Sequence, residues 1–458
     1  MARARTHLVV LGATGFTGRF VVEEVVRKLP ALQAAVPGFT WAVAGRSRAS
    51  LEGIVAAIRK TAPDAKALPA IVEADVKNVE SLKHMAQGTH LVLNCVGPYA
   101  LLGEPVVQAV IEASEALSKE GQAPVDYADL TGEPGFIELM VLKYYDRALA
   151  AGCTLVHAAA FDSVPADMGV LFAREALQKR GATPASIEIF VTVHTKDGQR
   201  MGGNYGTYAS AINGFATRAQ LSKTRKQLYG PKLPKTTPVA KQRGLGVGLP
   251  RRKGRFGVLW AEEVKSYLVP FFFADPAVIR LSQSLAQLQA DQAGGALPES
   301  VQIVAWMQLP SLYVLFLAAV LMTFFGLFAS SARGRQVLQA HPKLFSGGIF
   351  SFEGPTQAQI EATSFETTMV ARGHSKSLLN GAKQGSGIGT DVTATIKIKG
   401  VEPGYRATPA LFVAVARTML AERSKVNKGV LVPGAALANT RLIEDLNEDG
   451  RVTFSVQE

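Results

Sequence analysis

The sequence predicts an α/β protein, a doubly wound parallel sheet with an inserted α+β domain that carries a long hydrophobic, membrane-associating segment. Three observations predict it. An apolar strand, His7 to Leu11, runs through a glycine loop into an amphipathic helix ending near Leu29. Apolar strands and helical patterns then alternate with short joins up to about residue 172, as in a sheet whose helices cover both faces. From Ile187 the period changes, because Ile187, Ile189, Val191 and Val193 alternate with Glu188, Thr192 and His194, the signature of a half-buried strand.

The glycine loop is Gly12-Ala13-Thr14-Gly15-Phe16-Thr17-Gly18. Between a strand and a helix, such a loop cradles phosphate: the first glycine permits the tight turn, the second admits a pyrophosphate, and the third lets helix and strand approach closely. A dinucleotide and a Rossmann domain follow. At the end of the second strand, Thr40 to Ala44, the chain reads Gly45-Arg46-Ser47-Arg48 where an NAD enzyme places an acidic residue. A guanidinium and a hydroxyl suit a 2′-phosphate, so Arg46 and Ser47 point to NADP(H). The alternative is a pair of solvated arginines. Between Gly18 and Arg46 the stretch Pro30 to Gly38 reads as an insertion.

Further strands are expected at Ala70 to Val76, Leu91 to Val96, Val125 to Leu130 and Thr154 to Ala160, with helices at Val79 to Ala86, Glu104 to Leu117 and Phe136 to Ala150. Ligands of such sheets sit at the carboxyl ends of the strands. Asp75 closes the third strand and is placed to meet the adenine amine, while Asn94, Val96, Gly97 and Pro98 close the fourth, beside the ribose and nicotinamide. Tyr99 follows them and is the first candidate proton donor, with a packing aromatic as its plain alternative. Asp162 is a second candidate and His194 a weaker one. Asp162 or Ser163 also suits the cap of a helix that has Pro165 in its first turn.

The domains are therefore set at 1–172 (Rossmann), 173–403 (α+β) and 404–458, a helix from Ala407 to Glu422 and a strand near Arg451 to Val456 returning to the first domain. Within the second domain, strands are expected at Gly348 to Phe352, Gln359 to Ala371 and Asp391 to Lys399. Two segments there stand out. Between Gly198 and Ala261 no acidic residue occurs, and the basic, Pro- and Gly-rich loop 218–255 is expected to be exposed and mobile. It has few aromatics for base stacking and no nucleic-acid-binding motif, so an anionic membrane surface suits it better than nucleic acid, and a merely solvated loop is the bland reading. From Ser300 to Ala332 no charge occurs, and the segment 306–330, with Leu312 to Ala329 apolar on every face, reaches the lower limit for a spanning helix. Crossing, a hairpin in one leaflet and core burial are the three readings. A strand on each side of the segment favours insertion from one face or a droplet-surface anchor.

With 458 residues, a net charge of +12 and two cysteines, the chain is a multi-domain protein of a reducing compartment and not a disulfide scaffold. The first strand begins at once after Thr6, leaving no room for a signal or transit peptide. The seven histidines form no metal pattern.

Together, Gly-Ala-Thr-Gly-Phe-Thr-Gly at Gly12 to Gly18, Ala-Gly-Arg-Ser at Ala44 to Ser47, Asn-Cys-Val-Gly-Pro-Tyr at Asn94 to Tyr99, Tyr-Ala-Asp-Leu-Thr-Gly-Glu at Tyr127 to Glu133 and Phe-Asp-Ser-Val-Pro-Ala-Asp at Phe161 to Asp167 resemble the saccharopine dehydrogenase-like oxidoreductases, including the bacterial trans-acting enoyl reductases. The resemblance spans essentially the whole chain. It implies an NADP-binding Rossmann domain, an inserted α+β domain and, as in eukaryotic members, association with lipid droplets or other membranes. The expected function is NADP(H)-dependent reduction of a lipid-like enoyl or carbonyl compound at the cytosolic face of a membrane or droplet, and a homodimer is compatible with it. A non-catalytic membrane protein that binds NADP(H) is the alternative, and an amino-acid dehydrogenase of the saccharopine type is a weaker one.

Overall fold

The computed structural model describes residues 5–62, 67–250, 252, 254–255, 258–295, 298–381 and 385–457. The chain divides into two compact units. The first comprises Met1–Asp162, Ala209–Arg225 and Gly404–Leu446, and the second Ser163–Tyr208, Lys226–Pro403 and Asn447–Glu458.

The first unit is built on a parallel sheet. Its strands are β1 (Thr6–Leu11), β2 (Trp41–Gly45), β3 (Ala70–Glu73), β4 (Thr89–Asn94), β5 (Asp126–Asp129) and β6 (Thr154–Val156), with a further strand at Gly429–Leu431. The order is Gly429–Leu431, β6, β5, β4, β1, β2, β3, so the order reverses between β1 and β4 and leaves a crevice at their carboxyl ends. Leu11 pairs with Ala44 on one side and Asn94 on the other, which brings those strand ends level. Apolar residues fill the interior of β1, β2 and β4 because both faces are covered.

Six strands are expected from the sequence and seven form. The additional one, Gly429–Leu431, is only three residues long and pairs with β6, too short to display a period. The first helix is Phe16–Arg27, and the insertion at 30–38 holds a second, Leu29–Ala35, with Pro30 tolerated in its first turn.

The second unit is an eight-stranded sheet in the order Val452–Gln457, Val392–Val401, Thr363–Ser375, Ala182–Thr195, Gln302–Leu309, Ser266–Pro270, Val258–Ala261, Gly254–Arg255. Helix Val164–Lys179 packs on it at Gly169, where a Cβ would stand 2.6 Å from Ile398 Cδ1 and Met369 Cε. That close approach moves the domain boundary from residue 172 to between Asp162 and Ser163. Helix Thr408–Ala421 packs on helix Phe16–Arg27 within the first unit. The closing strand does not return there: Val452–Gln457 pairs antiparallel with Val392–Val401, because its alternating residues match that edge.

Three local expectations also change. Segment 359–371 begins as a helix, Gln357–Ala362, held by a capping box between Thr356 and Gln359, and becomes a strand only at Thr363. The strand expected at Gly348 to Phe352 shortens to Phe350–Ser351. The basic loop contains two helices, Arg218–Leu228 and Val239–Gln242, and two of its arginines form structural ion pairs. Arg225 grips the buried Glu138 with a bidentate pair, and Arg252 enters the second sheet; Arg251 and Lys253 lie outside the described residues.

Strand Ala182–Thr195 is buried on both faces from Ala185 to Val191, although its alternation reads as half-exposed. Glu188, 2% exposed, accepts from Arg252 Nε at 2.6 Å, Trp306 Nε1 at 2.9 Å and Arg372 Nη1 at 3.3 Å. Glu263 pairs with both arginines in turn. Removing one member of a buried ion pair leaves the rest uncompensated and costs about 3–5 kcal/mol. Glu188→Ala is therefore expected to lower unfolding free energy by about 3 kcal/mol, the low end because Glu263 remains, and urea denaturation checks it.

Candidate functional site

Gly12 follows β1 with φ +81, a conformation suited to glycine, and a Cβ there would lie 2.7 Å from Val96 Cγ2. A Cβ on Gly18 would collide with the Gly12 carbonyl oxygen. The loop is closed by Gly15 N–H donating to Gly12 O at 2.9 Å. Gly15 is the N-cap of helix Phe16–Arg27, no side chain caps that helix, and no acidic residue lies in its first turn. Its leading N–H groups and the positive end of its dipole therefore suit an anion. Thr14 and Gly15 are exposed, Phe16 and Thr17 half-buried, and Ala13 is buried, so Ala13 supports the loop by packing. This cradle, which any Cβ would fill, fits a dinucleotide pyrophosphate.

At the end of β2, Arg46 is exposed and has no ion pair among the described residues, whereas Arg48 is held by Glu52 at 3.1 Å and Glu73 at 3.4 Å. The two arginines, similar in sequence, are thus unlike: Arg46 is available to a phosphate and Arg48 braces the end of β3. Ser47 caps helix Arg48–Thr61, accepting from Ser50 N–H at 3.3 Å. Asp75 shapes the turn into helix Val79–Gln87, its Oδ1 accepting from Lys77 N–H at 3.0 Å.

After β4, Asn94 Oδ1 accepts from Val96 N–H at 2.9 Å and so sets the course of the loop that meets Gly12. Gly97 is exposed and Pro98 half-buried beyond it, joined by a cis peptide bond. Tyr99 turns the other way. It is 5% exposed, its hydroxyl donates to Asn94 O at 2.9 Å, and burial pushes its pKa well up. The expectation that Tyr99 donates the proton is therefore corrected: it is a packing aromatic, 5.9 Å from Phe136. Glu133 has a role that the sequence motif did not reveal. Its carboxylate accepts from Tyr99 N–H at 3.0 Å and Ala100 N–H at 2.9 Å, capping a turn whose own N-cap, Pro98, has no side-chain donor or acceptor.

Asp162, unlike the buried Asp129 and Glu133, keeps solvent access, and its carboxyl group lies over Gly132, where a Cβ would sit 3.1 Å from Cγ. Desolvation by the surrounding protein, with repulsion from Glu133 and Asp129, raises its pKa to about 6. A carboxyl group so tuned exchanges its proton near pH 6, closer to neutrality than an ordinary carboxylate. Ser163 next to it is the N-cap of helix Val164–Lys179 and directs its hydroxyl to Asp275 Oδ1 at 3.1 Å. His194 is exposed on a strand of the second unit. Both cysteines are free thiols, and burial pushes Cys153 up to about 12.

If Arg46 reads a 2′-phosphate, Arg46→Asp weakens NADPH by about tenfold or more, the scale of a charge-assisted hydrogen bond, and leaves NADH nearly unchanged. Fluorescence titration with the two coenzymes checks this.

Comparison with known proteins agrees with the geometry. Residues 8–156 match the saccharopine dehydrogenase NADP binding domain. The chain is 36% identical to a human saccharopine dehydrogenase-like oxidoreductase, over 98% of this chain and 97% of that one. It is 30% identical to a lipid droplet localized protein of Caenorhabditis elegans over 99% of each. A putative trans-acting enoyl reductase of Mycobacterium tuberculosis is 32% identical over 54% of each chain. The glycine cradle is accordingly that of an NADP-binding domain, and the chain belongs to the saccharopine dehydrogenase-like oxidoreductase family.

Proposed function

We propose that this protein is an NADPH-dependent reductase of a lipid-like enoyl or carbonyl compound, working at the cytosolic surface of a membrane or lipid droplet. The observation that carries the proposal is helix Leu312–Ala329, eighteen uncharged residues of which 11% are buried, in a chain that also holds the nucleotide cradle. Tyr313, Phe316 and Leu327 are 74%, 68% and 64% exposed. Only Phe325 and Ala329 of this helix are buried. An exposed apolar surface of that kind is a contact for lipid or for another protein, and the name of the worm relative favours lipid.

Its topology favours insertion from one side. The helix follows strand Gln302–Leu309 and precedes strand Thr363–Ser375, and both belong to one sheet. A full crossing would need a second crossing to return, and the described chain has one helix long and apolar enough. Ser311 caps the start by accepting from Val314 N–H at 3.3 Å, and Arg335 donates to Ala329 O at 2.9 Å at the other end. Exposed Arg333 follows, suited to headgroup phosphates, and Lys343 beyond it pairs with Glu353 at 3.1 Å.

In the reaction, NADPH supplies a hydride to the electrophilic carbon of the substrate. The chain's own part is to hold the pyrophosphate at Gly12–Gly18, fix the 2′-phosphate at Arg46, and deliver the balancing proton from Asp162 to the substrate's other atom. A polar amino-acid substrate leaves the apolar helix without a purpose, so the saccharopine-type reading is the less favoured.

Incubation with NADPH, deuterated at the transferable position, and lipid extracts is expected to give substrate-dependent loss of reduced coenzyme and deuterium in a lipid product. Asp162→Asn lowers the rate by about 100-fold, the scale of a general acid. The wild-type rate falls as pH rises through about 6, because the protonated form is the active one. Coenzyme binding without turnover in any extract supports the non-catalytic alternative. Replacing Phe316, Leu317 and Phe324 by serine is expected to abolish flotation with phospholipid-coated triolein droplets, and unchanged flotation contradicts the lipid role.

A further inference from the structure

Behind the cradle lies a group of polar side chains that the proposed chemistry does not use. Asn94, Tyr127, Asp129 and His157 are all 0% exposed, and burial without solvent makes every unmet hydrogen bond costly. Asp129 ends β5 and faces Asn94, the last residue of β4, in register. Its Oδ2 accepts from Tyr127 OH at 2.9 Å and is 2.7 Å from His157 Nδ1. An ionised carboxylate only accepts, so His157 carries its proton on Nδ1. Its Nε2 has no partner among the described residues. Oδ1 accepts from Thr131 N–H at 3.2 Å and Ala158 N–H at 3.1 Å, and the main-chain oxygen from Ala159 N–H at 2.7 Å.

Two lines of contact leave this carboxylate. Tyr127 OH accepts from Asn94 Nδ2 at 3.1 Å, Asn94 holds Val96 N–H, and Val96 meets Gly12. On the other side, Ala158 is held at φ 55, a conformation unfavourable for an alanine, in the turn that leads to Asp162. We propose that Asp129 is a positioning residue that keeps the nucleotide-facing loop at Asn94–Val96 and the turn leading to Asp162 in one frame. The second half of this inference rests on Asp162 being the proton donor. A carboxylate suits the place because four donors converge on two oxygens. Asparagine preserves the oxygen that faces the two backbone N–H groups, whereas alanine abandons all four donors.

The test compares Tyr127→Phe, Asp129→Asn and Asp129→Ala by NADPH titration and by hydrogen exchange of the Val96 and Ala158 amides, well below each variant's Tm. Asp129→Ala is expected to weaken NADPH about tenfold and to speed exchange at both amides. Asp129→Asn, which keeps the acceptor for the two backbone N–H groups but turns an amide donor toward Tyr127 and His157, falls between wild type and Asp129→Ala, a partial rescue that loss of stability alone does not give. Tyr127→Phe weakens NADPH about threefold and speeds exchange at Val96 but not at Ala158. If Asp129→Ala does not fold, Tyr127→Phe decides alone. Wild-type affinity and exchange in Tyr127→Phe overturn the proposal, as does an Asp129→Asn variant as weak as Asp129→Ala. Turnover retained by Asp162→Asn would remove Asp162 as the donor, while the coenzyme affinity of the Asp129 and Tyr127 variants still decides the role proposed here.

Discussion

The absence of two methyl groups governs the first unit. Gly18 stands so close to the Gly12 carbonyl oxygen, and Gly12 so close to Val96, that a Cβ at either position would force strand, loop and helix apart. Because nothing fills those positions, the helix N-terminus reaches the strand ends with its N–H groups uncovered. A doubly charged pyrophosphate meets donors there that no protein group has claimed. The positions of Arg46 and Asn94 follow from the same packing, since β2 and β4 flank β1 in register with its last residue.

Buried charge is handled in two ways in this molecule. In the second unit, Glu188 is neutralised by arginines that reach it from sequence-distant segments, and the guanidinium of Arg252 also lies 5.1 Å from the Phe190 ring centroid. In the first unit, no cation reaches Asp129 among its described hydrogen-bond partners; it is satisfied by a hydroxyl, an imidazole and backbone N–H groups. Its negative charge adds, after desolvation by the surrounding protein and repulsion from Glu133, to the rise in the pKa of Asp162. A structural carboxylate and a protonatable one are therefore consequences of the same strand ends.

The apolar helix obeys a different constraint. A single helix of eighteen residues barely spans hydrocarbon, and its flanking strands are tied into one sheet by continuous ladders. The sheet cannot be divided between two sides of a bilayer without breaking those ladders. A phospholipid monolayer or one leaflet imposes no such division.

Local chemistry made much of this legible from the sequence. The glycine spacing, the apolar strands and the arginine after β2 act through neighbours a few residues away, so the nucleotide cradle could be read from residues 7–48. The apolar helix was equally plain, because eighteen uncharged residues need no partner to be recognised. Contacts distant in the chain could not be read. Whether Tyr99 faces the site or the core depends on the Asn94 carbonyl and on Glu133, and the fate of Arg252 depends on Glu188. The strand Gly429–Leu431 is too short to show a period and exists because β6 offers it a free edge. Sequence determined which groups could bind and react, since that is chemistry carried by each residue. Tertiary structure alone decided which of them reach solvent and which are consumed by packing, because burial and hydrogen-bond partners belong to the folded arrangement.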